Sequence, residues 1–364
     1  MRHRGKRGLS ALGFVFIAAA TVLGLAGCAA VSATELAPTT APSVSSVSNA
    51  TPTPTPTATP TIAPTPTPTP PPTATAEPEP PAPPPVDPLR PACAGARAMS
   101  VWAHEDDDLL FAGTQLPQVL AAGGCIRTVF LTDGDAGRGS DYARGRVEGI
   151  HRAYDVLRGA SSPWTETEVT LPSGATVSVH QPVDDTRVSL VFLHLPDGNL
   201  NGQGYPATGE VSLAKLAANK IAALPPSTGG APLSWSAIVA SLDDLIGAYQ
   251  PASFFTHVPG SANTLAKGDH ADHAITGIIA RKAWFSDVRG GATIMYAMGY
   301  QSAQRPANLS GDVLRHKIAV FRTYAADDPV IRGCSDDASC LAVPRFGGWL
   351  GREYLFTEAQ LGLG

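Results

Sequence analysis

Two short clusters of histidines and acidic residues carry the side chains best suited to metal-assisted hydrolysis. Residues 104–108 read His-Glu-Asp-Asp-Asp after an apolar run, and residues 268–273 read Gly-Asp-His-Ala-Asp-His. Each cluster alone is explained as well by a solvated loop or by a histidine pair on a helix surface. A catalytic zinc takes three ligands from histidine and carboxylate side chains and leaves one position open for water. Together the clusters provide such a set, and we predict one zinc ion in the domain.

The spacing within the clusters indicates which residues would hold this ion. His104 and Asp107 lie three residues apart, close enough in a turn to reach one metal, and His273 approaches from the second cluster. Zinc lowers the pKa of its bound water to about 7, so a nearby carboxylate is able to take the proton.

Three further side chains of the clusters are candidates for the chemistry itself. Asp106 is the candidate base that takes the proton from water. His270 is placed to stabilise a developing oxyanion. Asp272 is placed to hold a histidine by its second ring nitrogen, as carboxylates behind metal ligands do.

Alternating strand-like and helix-like segments must position these clusters. The alternation predicts an α/β fold in which a mostly parallel sheet carries helices on both faces. In such a sheet ligands bind beyond the carboxyl ends of the strands, where both clusters fall. A hairpin is predicted at 169–179. The predicted strands are 98–103, 126–132, 188–195, 253–258 and 293–298, and the predicted helices are 116–122, 144–157, 235–249, 273–284 and 313–324.

Both clusters resemble the motifs of one enzyme family. Residues 103–108, Ala-His-Glu-Asp-Asp-Asp, resemble the AHPDD(E/D) motif of the PIG-L/LmbE-like de-N-acetylases, and residues 270–273 resemble their HxDH motif. The resemblance implies a Rossmann-like single catalytic domain with one zinc. It also implies hydrolysis of N-acetyl groups, mostly on N-acetylglucosamine-type sugars.

Carried over position by position, the family's roles agree with those read from the residues. The motif histidine, the second aspartate and the last histidine, here His104, Asp107 and His273, hold zinc in the family. The first motif aspartate, here Asp106, is the family's base. The first HxDH histidine, here His270, stabilises the transition state or acts as an acid.

The resemblance extends over roughly residues 98–325. Residues 129–137 match the family's second strand and its loop, and Arg146 matches the start of its next helix. Arg146 and Asp135 are therefore expected to contact substrate, with a surface ion pair between Arg146 and Glu148 as the alternative for the arginine. Segments 195–198 and 298–300 are similar to an extracellular, lipoprotein-type actinobacterial branch.

One departure from the family pattern affects the first motif. Glu105 stands where the family usually has proline. Proline stiffens the chain, so the loop geometry is less constrained here. The extra carboxylate is also expected to raise the pKa of neighbouring acids. All three predicted ligand positions remain intact.

The N-terminus has the pattern of an export signal. Residues 1–8 are basic, residues 9–27 are apolar and uncharged, and Leu-Ala-Gly-Cys ends the run at Cys28. This resembles a lipoprotein signal peptide, residues 1–28, in which Cys28 becomes lipidated. An uncleaved anchor is the alternative, because 19 apolar residues are long enough to cross a bilayer. Either way we predict an extracytoplasmic protein, held at the outer face of the membrane.

Composition separates a stalk from a folded domain. Twenty of the 34 prolines lie between Pro38 and Pro91, and residues 29–90 are rich in Pro, Thr, Ala and Ser. Such a segment buries too little apolar surface to fold, so residues 91–364 are the predicted catalytic domain. The net charge is −5 and no basic patch follows the signal, which argues against a nucleic-acid partner.

Four cysteines remain after Cys28, an even number typical of disulfides in an exported domain. Cys334 and Cys340 lie six residues apart in a loop and are able to close on each other. Cys93 and Cys125 each precede a strand-like run, and they would meet if these strands are parallel neighbours. A structural zinc site is the alternative, although no Cys-x-x-Cys or Cys–His spacing supports it.

The leading functional prediction is zinc-dependent removal of acetyl groups from an N-acetylated glycan of the cell envelope. One alternative is a carbohydrate-binding lipoprotein without turnover, which an intact Asp106 argues against because binding needs no base. The other alternative is a zinc hydrolase of another amide or of an ester.

Overall fold

One eight-stranded sheet runs through the part of the chain that the computed structural model describes, residues 87–286 and 292–363. The predicted signal peptide, its Cys28 and almost all of the predicted stalk lie outside these residues. The strands are β1 (Arg97–Trp102), β2 (Cys125–Thr132), β3 (Trp164–Thr170), β4 (Thr176–Pro182), β5 (Val188–Leu195), β6 (Ser253–His257), β7 (Thr293–Ala297) and β8 (Leu355–Phe356).

The strand order is β3-β4-β5-β2-β1-β6-β7-β8, and the five central strands, from β5 to β7, are parallel. Strands β3, β4 and β8 pair antiparallel at the edges. The central strands are buried on both faces, which explains the nearly continuous apolar runs in their sequences. The predicted α/β class is therefore confirmed. From β1, the chain first adds strands on the β2 side of the sheet and later adds β6 and β7 on the other side, so the strand order switches at β1.

Helices cover both faces of this sheet. They are α1 (Asp107–Phe111), α2 (Gln115–Ala121), α3 (Ser140–Arg158), α4 (Leu213–Ala217), α5 (Trp235–Tyr249), α6 (Ala271–Trp284), α7 (Gly311–Ala325), α8 (Asp337–Ala342), α9 (Phe346–Leu350) and α10 (Glu358–Leu361). Consecutive strand residues point to opposite faces, so Val129 packs with the apolar residues of α5 and α6 while Phe130 packs with those of α3 and α7. Within the described residues, no helix combines the length and apolar character needed to cross a membrane.

Two disulfides join the four cysteines of the domain. Strands β1 and β2 are parallel neighbours with Arg97 opposite Cys125. This register brings Cys93 next to Cys125, and the two form one disulfide. Cys334 and Cys340 form the other, within their own loop. Both predicted pairings are present in the structure.

The last residues of the predicted stalk contact the folded part of the chain. The guanidinium of Arg127 on β2 is fully buried and donates hydrogen bonds to the carbonyl oxygens of Pro88 (2.7 Å) and Leu89 (2.9 Å). Leu89 also packs against the apolar residues of the sheet face covered by α5 and α6.

A second pair of histidines lies between α3 and β4, away from the motif clusters. The Nε2 atom of His151 lies 2.9 Å from Nδ1 of His180, and the His151 ring stacks on Trp164 with 4.5 Å between centroids. Burial lowers the pKa of His151 to about 4 and the pKa of His180 to about 3. The folded state therefore keeps both imidazoles neutral at a pH where the unfolded chain protonates them.

This pair should make the fold sensitive to mild acid. Each imidazole has a pKa of about 6.5 in the unfolded chain and a lower pKa in the folded protein. The stability that results is fully present above about pH 6.5 and is lost as the pH falls towards the folded pKa, because the unfolded state binds more protons. Between pH 7 and pH 5 the free energy of unfolding should fall by about 2 kcal/mol for each histidine.

Urea unfolding of the wild type and of His180→Phe at the two pH values measures this effect. His180 already packs against Phe192, at 4.7 Å between ring centroids, so an aromatic replacement suits the position. The variant should lose less stability on acidification than the wild type. The control His316→Gln, at an exposed position of α7, should follow the wild type. A pH dependence unchanged in His180→Phe would refute the prediction.

Candidate active site

Both motif clusters lie at the carboxyl edge of the sheet, next to β1. The first cluster follows β1 directly, and the second leads into α6 after the loop that follows β6. Because β1 pairs with β2 on one side and with β6 on the other, the strand order switches here. Crevices at such switch points are the usual ligand sites of open α/β sheets.

The three predicted zinc ligands converge in the structure. His273 Nε2 lies 3.0 Å from an Asp107 oxygen and 3.3 Å from Nδ1 of His104, and His104 Nδ1 lies 3.3 Å from the other Asp107 oxygen. Ligands about 2.0–2.1 Å from a tetrahedral zinc stand about 3.3 Å apart. All three residues are buried, so the donor set and its spacing fit a zinc ion.

The charge of Asp107 suits a metal ligand. Burial raises the pKa of this carboxyl, but His273, His257 and His104 around it outweigh burial and hold the pKa well below its usual range. The backbone N–H of His104 also donates to Asp107 Oδ2 at 2.8 Å. Asp107 is therefore an anion that its own loop holds in place.

His257 is a member of the cluster that the sequence analysis missed. Its ring stacks on His273 at 4.1 Å, and its Nε2 lies 3.2 Å from Asp107. Asp107, His257 and His273 would also be close enough to hold a metal ion. However, Nε2 of His257 accepts the N–H of Ala103 at 3.3 Å, and this occupies the lone pair that a metal would need. Two further groups that are close enough contain His104 without Asp107, namely His104 with His270 and His273, and His104 with Asp197, His270 and Asp272. The predicted set of His104, Asp107 and His273 adds the anionic carboxylate between its two histidines and is therefore the better one.

Asp269 orients one of the predicted ligands. Its Oδ1 lies 2.9 Å from Nδ1 of His273 and also accepts the backbone N–H groups of His270 and Tyr300. A proton on Nδ1 directs the Nε2 lone pair of His273 to the metal site, as in carboxylate–histidine–zinc triads. Asp272, for which this supporting role was predicted, lies 3.6 Å from Nε2 of His104 and accepts the N–H of Gly198.

Replacing Asp269 by asparagine should weaken zinc binding by about 10- to 100-fold, the usual cost of altering a partner behind a metal ligand. The amide oxygen still accepts the same three N–H groups, so only the charge behind His273 is lost. Zinc affinity measured by competition with a chelator tests this, with thermal unfolding as the control for folding. Wild-type affinity in the variant would show that the Asp269 charge does not support the metal.

Arg146 holds the candidate base. Its Nη2 donates to Asp106 Oδ1 at 2.8 Å, its Nη1 to the Gly134 carbonyl at 2.6 Å and its Nε to the Tyr324 hydroxyl at 2.6 Å. The ion pair with Glu148, considered for this arginine, is not among those of the described residues. Burial raises the pKa of Asp106 although Arg146 opposes the shift, and a raised pKa suits a base that works near neutral pH.

Glu105 lies behind this arginine rather than in the cavity. Its Oε2 is 3.5 Å from Arg146 Nε, and neither carboxyl oxygen has a hydrogen-bond partner among the described residues. Burial raises the pKa of Glu105 to about 8 against the effect of Arg146. The carboxyl group is therefore mostly protonated at pH 7, so the extra charge expected at this position is largely absent. Gly134 packs so closely against both side chains that a Cβ would clash with them.

The hydrogen bonds of His270 decide which of its nitrogens carries the proton. Its Nδ1 accepts the backbone N–H of Asp272 at 3.2 Å, where His270 caps α6. The proton of the neutral ring is therefore on Nε2. Burial, together with His104 and His273, lowers the pKa of His270, which keeps the ring neutral. Of the two roles considered, hydrogen-bond donor and acid, the geometry favours the donor.

A cavity of about 680 Å³ opens in front of these groups. Leu200 and Val330 contribute to its wall, as do Arg345, Phe346 and Trp349, so the C-terminal segment shapes the site. Asp135 is not among the lining residues, and its Oδ2 accepts the N–H of Gly139. The site residues that line the cavity are His104, Asp106, Asp107, Arg146 and His270.

The fold is a mostly parallel α/β sheet with a buried histidine–aspartate cluster at its switch point, and this cluster is close enough to hold a metal ion. Residues 99–284, just over half of the chain, match the sequence model of PIG-L, described as GlcNAc-PI de-N-acetylase. The chain belongs to the PIG-L family. Family membership supports N-deacetylation of a sugar or glycan as the general activity.

Solved structures resemble the chain at the level of the fold. N,N′-diacetylchitobiose deacetylase from Pyrococcus horikoshii has 14% identity and a TM-score of 0.40, with 65% of this chain and 71% of that chain covered. A deacetylase–teicoplanin complex has 15% identity and a TM-score of 0.37, with 68% of this chain and 94% of that chain covered. GalB, the 4-carboxy-2-hydroxymuconate hydratase from Pseudomonas putida KT2440, has 14% identity and a TM-score of 0.36. The match covers 65% of this chain and 79% of that chain. None of the curated proteins compared with the chain matches it.

Proposed function

We propose that this protein is a zinc-dependent hydrolase that removes the acetyl group from an N-acetylglucosamine-type sugar. The observation that carries the proposal is the convergence of three predicted zinc ligands beside a candidate base and an oxyanion donor in one cavity. The family to which the chain belongs supports the same reaction.

Asp106 is the base of the proposed reaction. Arg146 holds its Oδ1 at 2.8 Å, while Oδ2 has no hydrogen-bond partner among the described residues. Because Asp106 lines the cavity, its free oxygen is available to take a proton from the attacking water. The same carboxyl then returns the proton to the amine nitrogen as the amide C–N bond breaks, the usual exchange of base and acid roles.

His270 stabilises the negative charge that develops on the amide oxygen. Its proton-bearing Nε2 belongs to a ring that lines the cavity and that Asp272 N–H fixes from the other side. A donor aligned before the reaction costs no reorganisation when the charge appears. Zinc held by His104, Asp107 and His273 would supply Lewis acidity towards the carbonyl and would acidify water.

The N-terminal segment supports a substrate in the cell envelope. Residues 1–28 have the pattern of a lipoprotein signal, with Cys28 as the lipidated residue, and residues 29–90 have the composition of an extended stalk. Within this proposal, the lipid on Cys28 anchors the protein to the outer face of the membrane. The domain then acts on an N-acetylated envelope glycan.

Acetate release by the zinc-loaded protein tests the proposed function. The panel comprises N-acetylglucosamine, chitooligosaccharides and muropeptides, each with and without a chelator. Zinc-dependent release from one of these supports the proposal. Sugar binding without any release would indicate the carbohydrate-binding alternative, and release from acetyl esters alone would indicate a different zinc hydrolase.

A further inference from the structure

One cationic side chain in the cavity wall has no partner. Arg345 lines the cavity, is exposed, and makes no side-chain hydrogen bond or ion pair with any described residue. Arg146, the other arginine of the wall, is by contrast engaged through all three of its nitrogens. Arg345 is therefore a positive charge that the folded chain itself leaves unused.

The backbone of Arg345 is in a conformation that a side chain disfavours. Its φ of 71° and ψ of −63° lie in a strained region that non-glycine residues rarely occupy. The neighbouring segments impose this geometry. Val343 is buried, its carbonyl accepts the N–H of Gly347, and a Cβ on Gly347 would clash with the carbonyl of Leu341. The side chain makes no hydrogen bond or ion pair with the described residues that would offset this strain, and it lines the cavity. Together these features indicate that Arg345 interacts with a bound ligand.

Aromatic contacts connect Trp349, four residues after Arg345 on the same cavity wall, to the predicted metal site. Trp349, one helical turn further along, stacks on Tyr300 at 4.5 Å and donates its Nε1–H to the Tyr300 carbonyl. Tyr300 in turn packs against the predicted ligand His273 at 5.0 Å. A sugar whose acetamido group lies at the predicted metal site would extend along a cavity wall that holds Tyr300, Trp349 and Arg345.

Four acidic residues also line the cavity wall, so Arg345 would decide whether an anionic substrate binds there. The lining acids are Asp106, Asp107, Asp197 and Asp328. Asp197 and Asp328 accept hydrogen bonds from the chain itself, from the Ala136 N–H and the Tyr142 hydroxyl respectively. An anionic substrate would be repelled by these carboxylates unless a cation received its charge. A guanidinium is well suited to this, because it binds carboxylate or phosphate oxygens in pairs.

We infer that Arg345 is a specificity-determining residue that binds an anionic substituent of the glycan. The inference rests on the proposed deacetylase function and narrows its substrate class to acetamido sugars that carry a carboxylate or a phosphate ester. Arg345 adds affinity for the anion and takes no part in the bond-breaking step.

Three sugars test this inference and separate the two anions: N-acetylglucosamine, N-acetylmuramic acid, which carries a carboxylate, and N-acetylglucosamine 6-phosphate. For each sugar, kcat/KM and equilibrium binding are measured at low and high salt. In Arg345→Gln the preference for the anionic sugar over the neutral one should fall about 10- to 100-fold, as expected for a charge-assisted hydrogen bond. The change should appear in KM, with kcat nearly unchanged.

Two further variants serve as controls. Arg332→Gln removes an exposed charge in the same segment outside the cavity wall and should keep the wild-type preference. Arg345→Gly relieves the strained φ, because glycine readily adopts positive φ. It should lose the preference without a lower melting temperature, whereas a purely structural arginine would destabilise the fold when removed.

The outcomes for this inference and for the deacetylase proposal are distinguishable. If acetate is released but Arg345→Gln keeps the wild-type ratio between anionic and neutral sugars, the inference is wrong and the deacetylase stands. If no sugar is hydrolysed, the deacetylase proposal fails, while the binding ratios still decide on Arg345. If neither anionic sugar binds better than N-acetylglucosamine to the wild type, Arg345 has no such role.

Discussion

Replacing Asp106 by asparagine should slow acetate release by about 10²- to 10⁴-fold, the usual contribution of a positioned general base. Asparagine has almost the same shape, and its amide oxygen still accepts the hydrogen bond from Arg146 Nη2, which is 2.8 Å long in the wild type. The side chain therefore stays in place but no longer takes a proton. The predicted zinc ligands are untouched, so the zinc content should stay near that of the wild type.

The measurement combines kcat for acetate release with metal analysis of the same sample. The matched control is Asp141→Asn, which removes an exposed carboxylate at the start of α3 and should leave kcat at the wild-type value. A wild-type rate in Asp106→Asn would mean that another group accepts the proton. Loss of zinc from Asp106→Asn would instead place this carboxylate among the ligands.

Replacing His273 by alanine should weaken zinc binding by more than about 100-fold. Altering a residue that only supports a metal ligand costs up to about 100-fold in affinity, and the loss of a ligand itself should cost more. The imidazole is fully buried, with Nε2 3.0 Å from Asp107 and 3.3 Å from His104. Its loss leaves two protein ligands, while alanine keeps the helical preference of α6. Zinc affinity from chelator competition and zinc content after dialysis measure the effect.

Two other histidine variants make this result specific. His316→Ala removes an exposed imidazole from α7 and should keep the wild-type affinity. His257→Ala tests the alternative ligand set directly, because His257 lies as close to Asp107 as the predicted ligands do. Zinc loss in His257→Ala as large as in His273→Ala would transfer the ligand role to His257. Full zinc occupancy in His273→Ala would exclude it as a ligand.

Much of the fold could be predicted from apolar runs alone. The predicted segments 98–103, 126–132 and 188–195 correspond to β1, β2 and β5 within a residue or so at each end. Strands buried on both faces have such runs in their sequences, so the parallel strands at the centre of the sheet could be predicted. The edge strand β8, only two residues long, leaves no such pattern.

The C-terminal segment 326–364 shows the limit of this approach. Its helices α8, α9 and α10 are four to six residues long. Helices this short form only because tertiary contacts hold them, such as the disulfide within 334–340 and the stack of Trp349 on Tyr300. The sequence therefore shows no helical periodicity at these positions, although α9 supplies part of the cavity wall.

His257 and Asp269 were missed as functional residues for a related reason. His257 is one histidine at the end of an apolar strand, and only the pairing of β6 with β1 brings it to Asp107. Asp269 lies inside the second cluster, but its importance depends on the ring orientation of His273, four residues later in α6. Neither spacing by itself distinguishes a functional side chain from an ordinary polar one.

Short spacings and apolar runs were enough to predict the types of side chain at the site, their order along the chain and their place at the carboxyl ends of strands. Only the folded chain shows which atoms face the predicted metal site, which nitrogen of His270 carries the proton, and that Arg146 supports Asp106. Those contacts join residues as far apart as the 169 positions between His104 and His273. A tautomer or an ion pair depends on the atoms that fold against it, and these atoms meet only when the loops and helices pack at the carboxyl edge of the sheet.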